Sequence, residues 1–187
     1  MDHHVIFTET PLRGAYLVAP ELREDDRGAF ARVFCQDEMR DHGLEPVIAQ
    51  ANVSVNHRAG TLRGMHYQVP PHDEAKLVRC TRGAIFDVIV DLRPESPTHL
   101  QPFGARLDED DRLALYVPPM FAHGYQALTD RAEVTYLVSA PYAPGAERGL
   151  AHDDPALGID WPMPVTDISD KDATWPRIDP DAGGRLP

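Results

Sequence analysis

Only two cysteines, Cys35 and Cys80, occur in 187 residues, and no Cys-x-x-Cys pair is present. That is too few for a disulfide framework and the wrong spacing for a thiolate zinc site or a redox pair, so both read as buried free thiols. Long apolar runs are missing as well. The longest are strand-sized, and the start Met1-Asp2-His3-His4-Val5 has neither the basic nor the apolar region of an export signal. No membrane span and no secretion are expected, and the expected location is the cytoplasm. Positive charge is scarce, with 18 Lys+Arg against 30 Asp+Glu and a formal net charge of −12. The long-range field therefore repels nucleic acid and anionic membrane, while a local group of basic residues can still take a small anion. Helical periodicity is weak too: only Gln36 to Gly43 reads as a short helix, with Gly43 ending it.

What is present is 42% hydrophobic residues, enough for one compact domain over 1–187 with its own core. Short β-rich runs recur between Pro, Gly, Asp and Asn: Gly14 to Val18, Ala29 to Phe34, Ala51 to Asn56, Leu62 to Gln68, Lys76 to Cys80, Ala84 to Leu92, Leu113 to Val117 and Glu133 to Ser139. That spacing predicts an all-β sandwich or barrel. In the run Ile85 to Leu92, Phe86, Val88, Val90 and Leu92 share one face, expected to pack into the core. Asp87 and Asp91 share the other, half-polar face with Ile85 and Ile89. The 18 prolines gather in connections and in the tail after Pro155, which reads as irregular structure wrapped on the barrel.

The run Leu62-Arg63-Gly64-Met65-His66-Tyr67-Gln68 puts a guanidinium, an imidazole and a phenol into one short strand, with Lys76 within hairpin reach. Such a set suits acid/base chemistry on an anionic substrate. His66 is the central candidate because imidazole titrates near neutral pH, although a single His among apolar neighbours is about as often structural. Its company favours function: Arg63, Lys76, His123 and Tyr136 all fall on strands or strand ends of one small barrel, whose inward side chains meet. Strict alternation sends Arg63 and His66 to opposite faces. A bulge at Gly60 or Gly64 would turn both toward one mouth. A metal-binding cupin is a second reading, needing His-x-His with a later Glu and His. Here the position two after His66 is Gln68, a poor ligand, His72 lies beyond Pro70-Pro71, and only His123 keeps a ligand position, so metal-free chemistry is expected.

Further strings run in order along the chain. They are Asp26-Arg27-Gly28-Ala29-Phe30, Gln50-Ala51-Asn52-Val53-Ser54, Ala75-Lys76-Leu77-Val78-Arg79, Gly83-Ala84-Ile85-Phe86-Asp87-Val88 and Phe121-Ala122-His123-Gly124. Tyr142-Ala143-Pro144, Glu147-Arg148-Gly149, Asp154-Pro155, Ile159-Asp160-Trp161-Pro162 and Ile168-Ser169-Asp170-Lys171-Asp172 follow. With Leu62 to Gln68, they resemble the dTDP-4-dehydrorhamnose 3,5-epimerase family over nearly the whole chain. The resemblance implies a cupin-type double-stranded β-helix, or jelly roll, with a few short helices and an irregular C-terminal tail. It implies no metal and no cofactor, and a nucleotide-diphosphate sugar as substrate, inverted at carbon 3, carbon 5 or both beside a 4-keto group.

The resemblance also assigns roles. His66 is the base that removes the proton, Asp172 orients and charge-balances its ring, Lys76 stabilises the enolate oxygen, and Tyr136 returns a proton to the opposite face. Binding positions carried over are Arg27, Gln50, Asn52, Arg63, Lys76, His123, Glu147 and Lys171. Arg63 is the expected diphosphate clamp, and Tyr142 and Phe30 are expected to stack on the base. The pattern departs at Phe30-Ala31-Arg32, where the family usually reads Phe-x-Glu. A guanidinium only donates hydrogen bonds, so Arg32 is expected at an acceptor-rich base edge or at the diphosphate rather than on thymine's N–H. Family members pair as homodimers by exchanging N-terminal strands, so Arg27 and Arg32 are expected to serve the neighbour's pocket. The expected setting is deoxysugar supply for polysaccharide or a glycosylated product. Alternatives are an epimerase or ketoisomerase acting at one carbon on a different nucleotide, and a catalytically idle cupin that binds a nucleotide sugar.

Overall fold

Alternating, punctuated β runs fold here into two facing sheets. The structure, a computed structural model, describes residues 4–179 and Leu186. In chain order the elements are β1 (Val5–Glu9), β2 (Tyr16–Pro20), β3 (Arg23–Asp25), β4 (Gly28–Phe30), α1 (Gln36–Asp41), β5 (Gln50–Asn56), β6 (Thr61–Gln68), β7 (Lys76–Arg82) and β8 (Ala84–Asp91). There follow β9 (Pro102–Asp108), β10 (Ala114–Val117), β11 (Phe121–Ala127), β12 (Ala132–Val138), β13 (Glu147–Gly149), β14 (Asp167–Ile168) and α2 (Asp170–Ala173). The first sheet has the order β1-β2-β10-β7-β12-β5 and the second β13-β6-β11-β8-β9, with β14 added parallel on β6. The short β3–β4 hairpin forms a separate two-stranded sheet. This is the jelly roll that the sequence led us to expect. Its short helix is there as well, and Gly43, at φ 68°, supplies the left-handed residue that ends α1.

The interior lies between the sheets. Val78, Leu115 and Val134 of the first meet Ile85, Ile89 and Leu107 of the second. The outer face of the second sheet is covered too: Met65, Val88, Val90 and Leu92 pack against Leu150, Leu157 and Ile178 of the C-terminal tail. That corrects the expectation for β8. Its apolar face lies under the tail rather than in the central core, and the face carrying Asp87 and Asp91 is the one that shares Ile85 and Ile89 with the interior. Both aspartates are 0% exposed. Burial of a carboxylate is tolerated where donors satisfy it: Asp91 takes Arg93, Ser96 and Thr98, whereas Asp87 has His123 on Oδ1 and leaves its buried Oδ2 without a hydrogen-bond partner among the described residues.

Burial pushes the Asp91 carboxyl up, but the hydrogen bonds from Arg93, Ser96 and Thr98 outweigh it and hold it at about 2. A carboxylate depressed in the folded state contributes its stability above its unfolded value and loses it as pH falls through the folded one; here that contribution is about 2 kcal/mol. Asp91→Asn is therefore expected to lower the urea-unfolding free energy at pH 7 by at least that amount, with the gap from the parent closing as pH falls toward 2. Both cysteines are free; Cys80 is buried, which pushes its thiol up to about 11, while Cys35 is only half-buried. Among the described residues no helix is long and apolar enough to cross a membrane.

Candidate active site

A pocket of about 480 Å³ opens between the two sheets, and each wall is set by strand alternation. From the first sheet, β5 presents Gln50, Asn52 and Ser54, β7 presents Lys76, and β12 presents Tyr136 and Val138. From the second, β6 presents Arg63, His66 and Gln68, β11 presents His123 and Tyr125, and β13 presents Glu147. Helix α2 closes one side with Lys171 and Asp172, and connections add Glu74 and Tyr142.

Arg63 and His66 share this pocket because β6 carries a bulge. His123 pairs with His66 and Tyr125 with Arg63, so two steps on β11 face three on β6. The extra residue reverses the alternation that sends Arg63 and His66 apart. Gly64 makes it possible: its φ is 135°, and a Cβ there would stand 2.5 Å from the Cα of Gly124 on the facing strand.

His66 is held from behind. Its Nε2 lies 2.7 Å from Asp172 Oδ1. An ionised carboxylate only accepts, so Nε2–H is the donor and Nδ1 is left as the ring's acceptor. Ser169 caps α2 by accepting the Asp172 backbone N–H at 3.1 Å, which fixes the turn carrying the carboxylate. Asp172 Oδ2 takes the Gly64 N–H at 3.2 Å, and Oδ1 takes the Trp175 indole N–H at 3.3 Å. Burial pushes the Asp172 carboxyl up, but His66 and these donors outweigh it, so it stays below the usual range and ionised. Beside His66, His123 forms a second pair, Nε2 to Asp87 Oδ1 at 2.7 Å.

On the facing wall, burial pushes the Tyr136 phenol up, with Glu74 adding to the rise and Arg63 opposing it. Tyr136 is therefore a protonated hydroxyl at neutral pH. Lys76 Nζ lies 3.2 Å from Glu74 Oε1, both side chains 11% exposed. Arg63 is anchored by its Nε–H on Asn56 Oδ1 at 2.9 Å, and Asn56 is tied to Tyr125, whose hydroxyl donates to Ser54 Oγ at 2.8 Å. At the mouth, Glu147 Oε2 accepts from Lys171 Nζ at 2.6 Å and from the Tyr142 hydroxyl at 2.7 Å, and the Tyr142 backbone N–H donates to Gln50 Oε1 at 3.0 Å. Burial pushes the Glu147 carboxyl up, but these two donors hold it below its ordinary value.

The pocket thus gathers His66, Tyr136, Asp172, Lys76, Gln50, Asn52, Arg63, His123, Tyr142, Glu147 and Lys171. Arg27, Phe30 and Arg32 are not brought to it. They sit on or just after the β3–β4 hairpin, where Arg27 pairs with Asp25, Phe30 is exposed, and Arg32 Nη1 lies 3.3 Å from Glu38 on α1. Ser54, Gln68, Glu74, Tyr125 and Val138 line the pocket without having been singled out from the sequence. Each stands two residues from one that was, so continuing the strand period would have found them. Among the described residues no group of three His, Cys, Asp or Glu side chains is placed to hold a metal ion.

Residues 9–179 match a family model described as dTDP-4-dehydrorhamnose 3,5-epimerase. A dTDP-4-dehydrorhamnose 3,5-epimerase of Sinorhizobium fredii is 42% identical over 163 residues, 87% of this chain and 84% of the relative. The crystal structure of the Elizabethkingia anophelis enzyme of that name superposes with a TM-score of 0.92 at 34% identity, covering 98% of this chain and 100% of that one. A Legionella pneumophila dTDP-6-deoxy-D-glucose-3,5-epimerase, solved in complex with dTDP-4-keto-L-rhamnose, gives a TM-score of 0.88 at 32% identity, again over 98% of this chain and 100% of that one.

Proposed function

The chain belongs to the dTDP-4-dehydrorhamnose 3,5-epimerase family, and from that premise we propose how its pocket inverts carbons 3 and 5 of a dTDP-linked 4-keto-6-deoxyhexose. The observation that carries the mechanism is that an imidazole on the second sheet, backed by a carboxylate from α2, and a half-buried phenol on the first sheet line one cavity, with the Lys76 ammonium of β7 beside them. A C–H next to the 4-keto group is acidified by that carbonyl. His66 Nδ1 takes its proton, and the bonding pair moves through the carbonyl to leave an enolate with its charge on oxygen 4. The imidazolium so formed is stabilised by Asp172. Lys76 stabilises the oxyanion electrostatically. Tyr136 then gives its proton to the other face of the planar carbon, which inverts it and leaves a phenolate. Exchange with water returns a proton to Tyr136 and removes the one on His66, resetting the site for the second carbon.

Arg63, its guanidinium anchored by Asn56, is the diphosphate clamp, and exposed Tyr142 at the mouth is the stacking surface for the base. The ligand of the Legionella relative supports thymine as that base. Arg32, already paired with Glu38, keeps its place near the diphosphate only if the hairpin reaches another copy. We therefore also propose a cytoplasmic homodimer whose β3–β4 hairpin, with Arg27 and Phe30, serves the partner's pocket. Exposed Val53 and Val55 on the outer face of the first sheet, together with Phe30 at 63% exposure, offer apolar surface for it. Sedimentation equilibrium is expected to give twice the chain mass, and a monomer at micromolar concentration would rule the exchange out.

The reaction itself is tested by solvent-deuterium incorporation. In D2O, NMR of the product should show deuterium at both carbon 3 and carbon 5. Label at one carbon alone indicates a single-carbon epimerase. Absence at both ends the epimerase reading.

A further inference from the structure

Trp175 follows α2 and is half-buried. Three contacts tie it to the general base. Its indole N–H donates to Asp172 Oδ1 at 3.3 Å, the same oxygen that receives His66 Nε2–H at 2.7 Å. Its ring meets the imidazole edge-on, with centroids 6.2 Å apart and planes at 73°. It also fills the space over Gly149, the β13 residue in register with His66, where any Cβ would fall inside the indole. A glycine directly across the ladder from the base is what lets a tryptophan stand there.

We propose that Trp175 is a positioning residue for His66, holding the plane of the imidazole and drawing part of the Asp172 negative charge onto its own N–H. A carboxylate oxygen shared by two donors serves each less well than it would serve one alone. The imidazolium depends on that oxygen more than the neutral ring does. The indole therefore favours the free-base form that must accept the substrate's proton. Its donation is also among the contacts that hold the Asp172 carboxyl low. Other titratable or charged groups share the pocket with the pair: Glu147 from β13, Lys171 from α2, His123 across the ladder on β11, and Arg63, Glu74, Lys76 and Tyr136 around its walls. Lys171 Nζ also lies 5.6 Å from the indole centroid. A Trp175→Phe change keeps an aromatic ring on this side of His66 while removing the N–H together with part of the bicycle that lies over Gly149, and it leaves every one of these groups in the chain.

The inference rests on His66 being the base, and its test is read on the free protein. Histidine-ring NMR titrations of the full chain are compared for the parent and Trp175→Phe, with the His66 signal assigned by its loss in His66→Asn. The His66 midpoint is expected to rise by about 0.3–1 pH unit in Trp175→Phe, with the other histidines unmoved. The acid limb of kcat/KM is expected to move up by the same amount. An unmoved His66 midpoint overturns the proposal. Should the Phe variant fail to fold, Gly149→Ala, which displaces the indole from above β13, is expected to raise the midpoint likewise, and no change there overturns it equally. A parent protein that turns over no substrate would defeat the epimerase reading and leave this titration result standing.

Discussion

His66→Asn is expected to lower kcat by roughly 10²–10⁴-fold while dTDP binding stays within about 3-fold of the parent. The size follows from what is lost. The imidazole lines the pocket with its Nε2 held by the Asp172 carboxylate, and Asn has no group that accepts a proton from carbon at neutral pH. Binding survives because the nucleotide contacts proposed for Arg63 and Tyr142 lie on other residues. The fold survives as well, since Asp172 keeps the Gly64 and Trp175 donors when the imidazole is gone. Coupled assays for kcat and calorimetry for dTDP separate the two effects. Activity within tenfold of the parent would remove His66 from the chemistry. Equal loss of binding and turnover would instead make it a binding residue.

Tyr136→Phe is expected to cut product formation by about the same factor but by a different route. The substitution removes one oxygen and leaves the half-buried ring, so packing against the interior is preserved. Proton abstraction by His66 needs no phenol. In D2O the substrate carbon should therefore still exchange its hydrogen, with deuterium returned from the His66 side and the configuration kept. Exchange without inversion is the signature of a base that works opposite an absent acid. Loss of exchange together with loss of inversion would mean that the phenol takes part in forming the enolate rather than in quenching it.

Much of this site was legible because chemistry sits on regular strands. His66, Lys76 and Tyr136 stand in runs with clear β character, and period two extends each of them to its pocket neighbour. The parity of Arg63 was not legible as such, since alternation alone points it away; Gly64 marked where the rule breaks, but only the pairing with β11 shows the bulge. For a related reason strand β11 was not among the β runs, although His123 was expected on a strand or strand end. Phe121–Ala127 holds no β-branched residue, both its faces are buried, and small residues occupy it where β6 comes close at Gly64 and Gly124. Strand β9 is similar, because Gly104 leaves room for the ring of Phe86 at the expense of any strand signal. Contacts made by the tail are the least readable of all. Nothing periodic links Trp175 to Gly149, or Lys171 to Glu147, since those pairs exist only once the tail has folded back across the second sheet.

The β3–β4 hairpin shows the remaining limit. Arg27, Phe30 and Arg32 read as substrate contacts by resemblance, yet in one chain they lie away from its own pocket. A residue can serve a neighbour's site without any local sequence feature to say so, because what it touches is decided by assembly rather than by its own strand.

The account stands or falls on two groups addressing opposite faces of one sugar ring. A crystal structure with an unreactive dTDP-linked 4-keto sugar analogue measures that directly. The account predicts His66 Nδ1 within about 4 Å of carbon 3 or 5 on one face and the Tyr136 hydroxyl at a comparable distance on the other. Both groups on the same face, or the sugar seated out of reach of either, would contradict it.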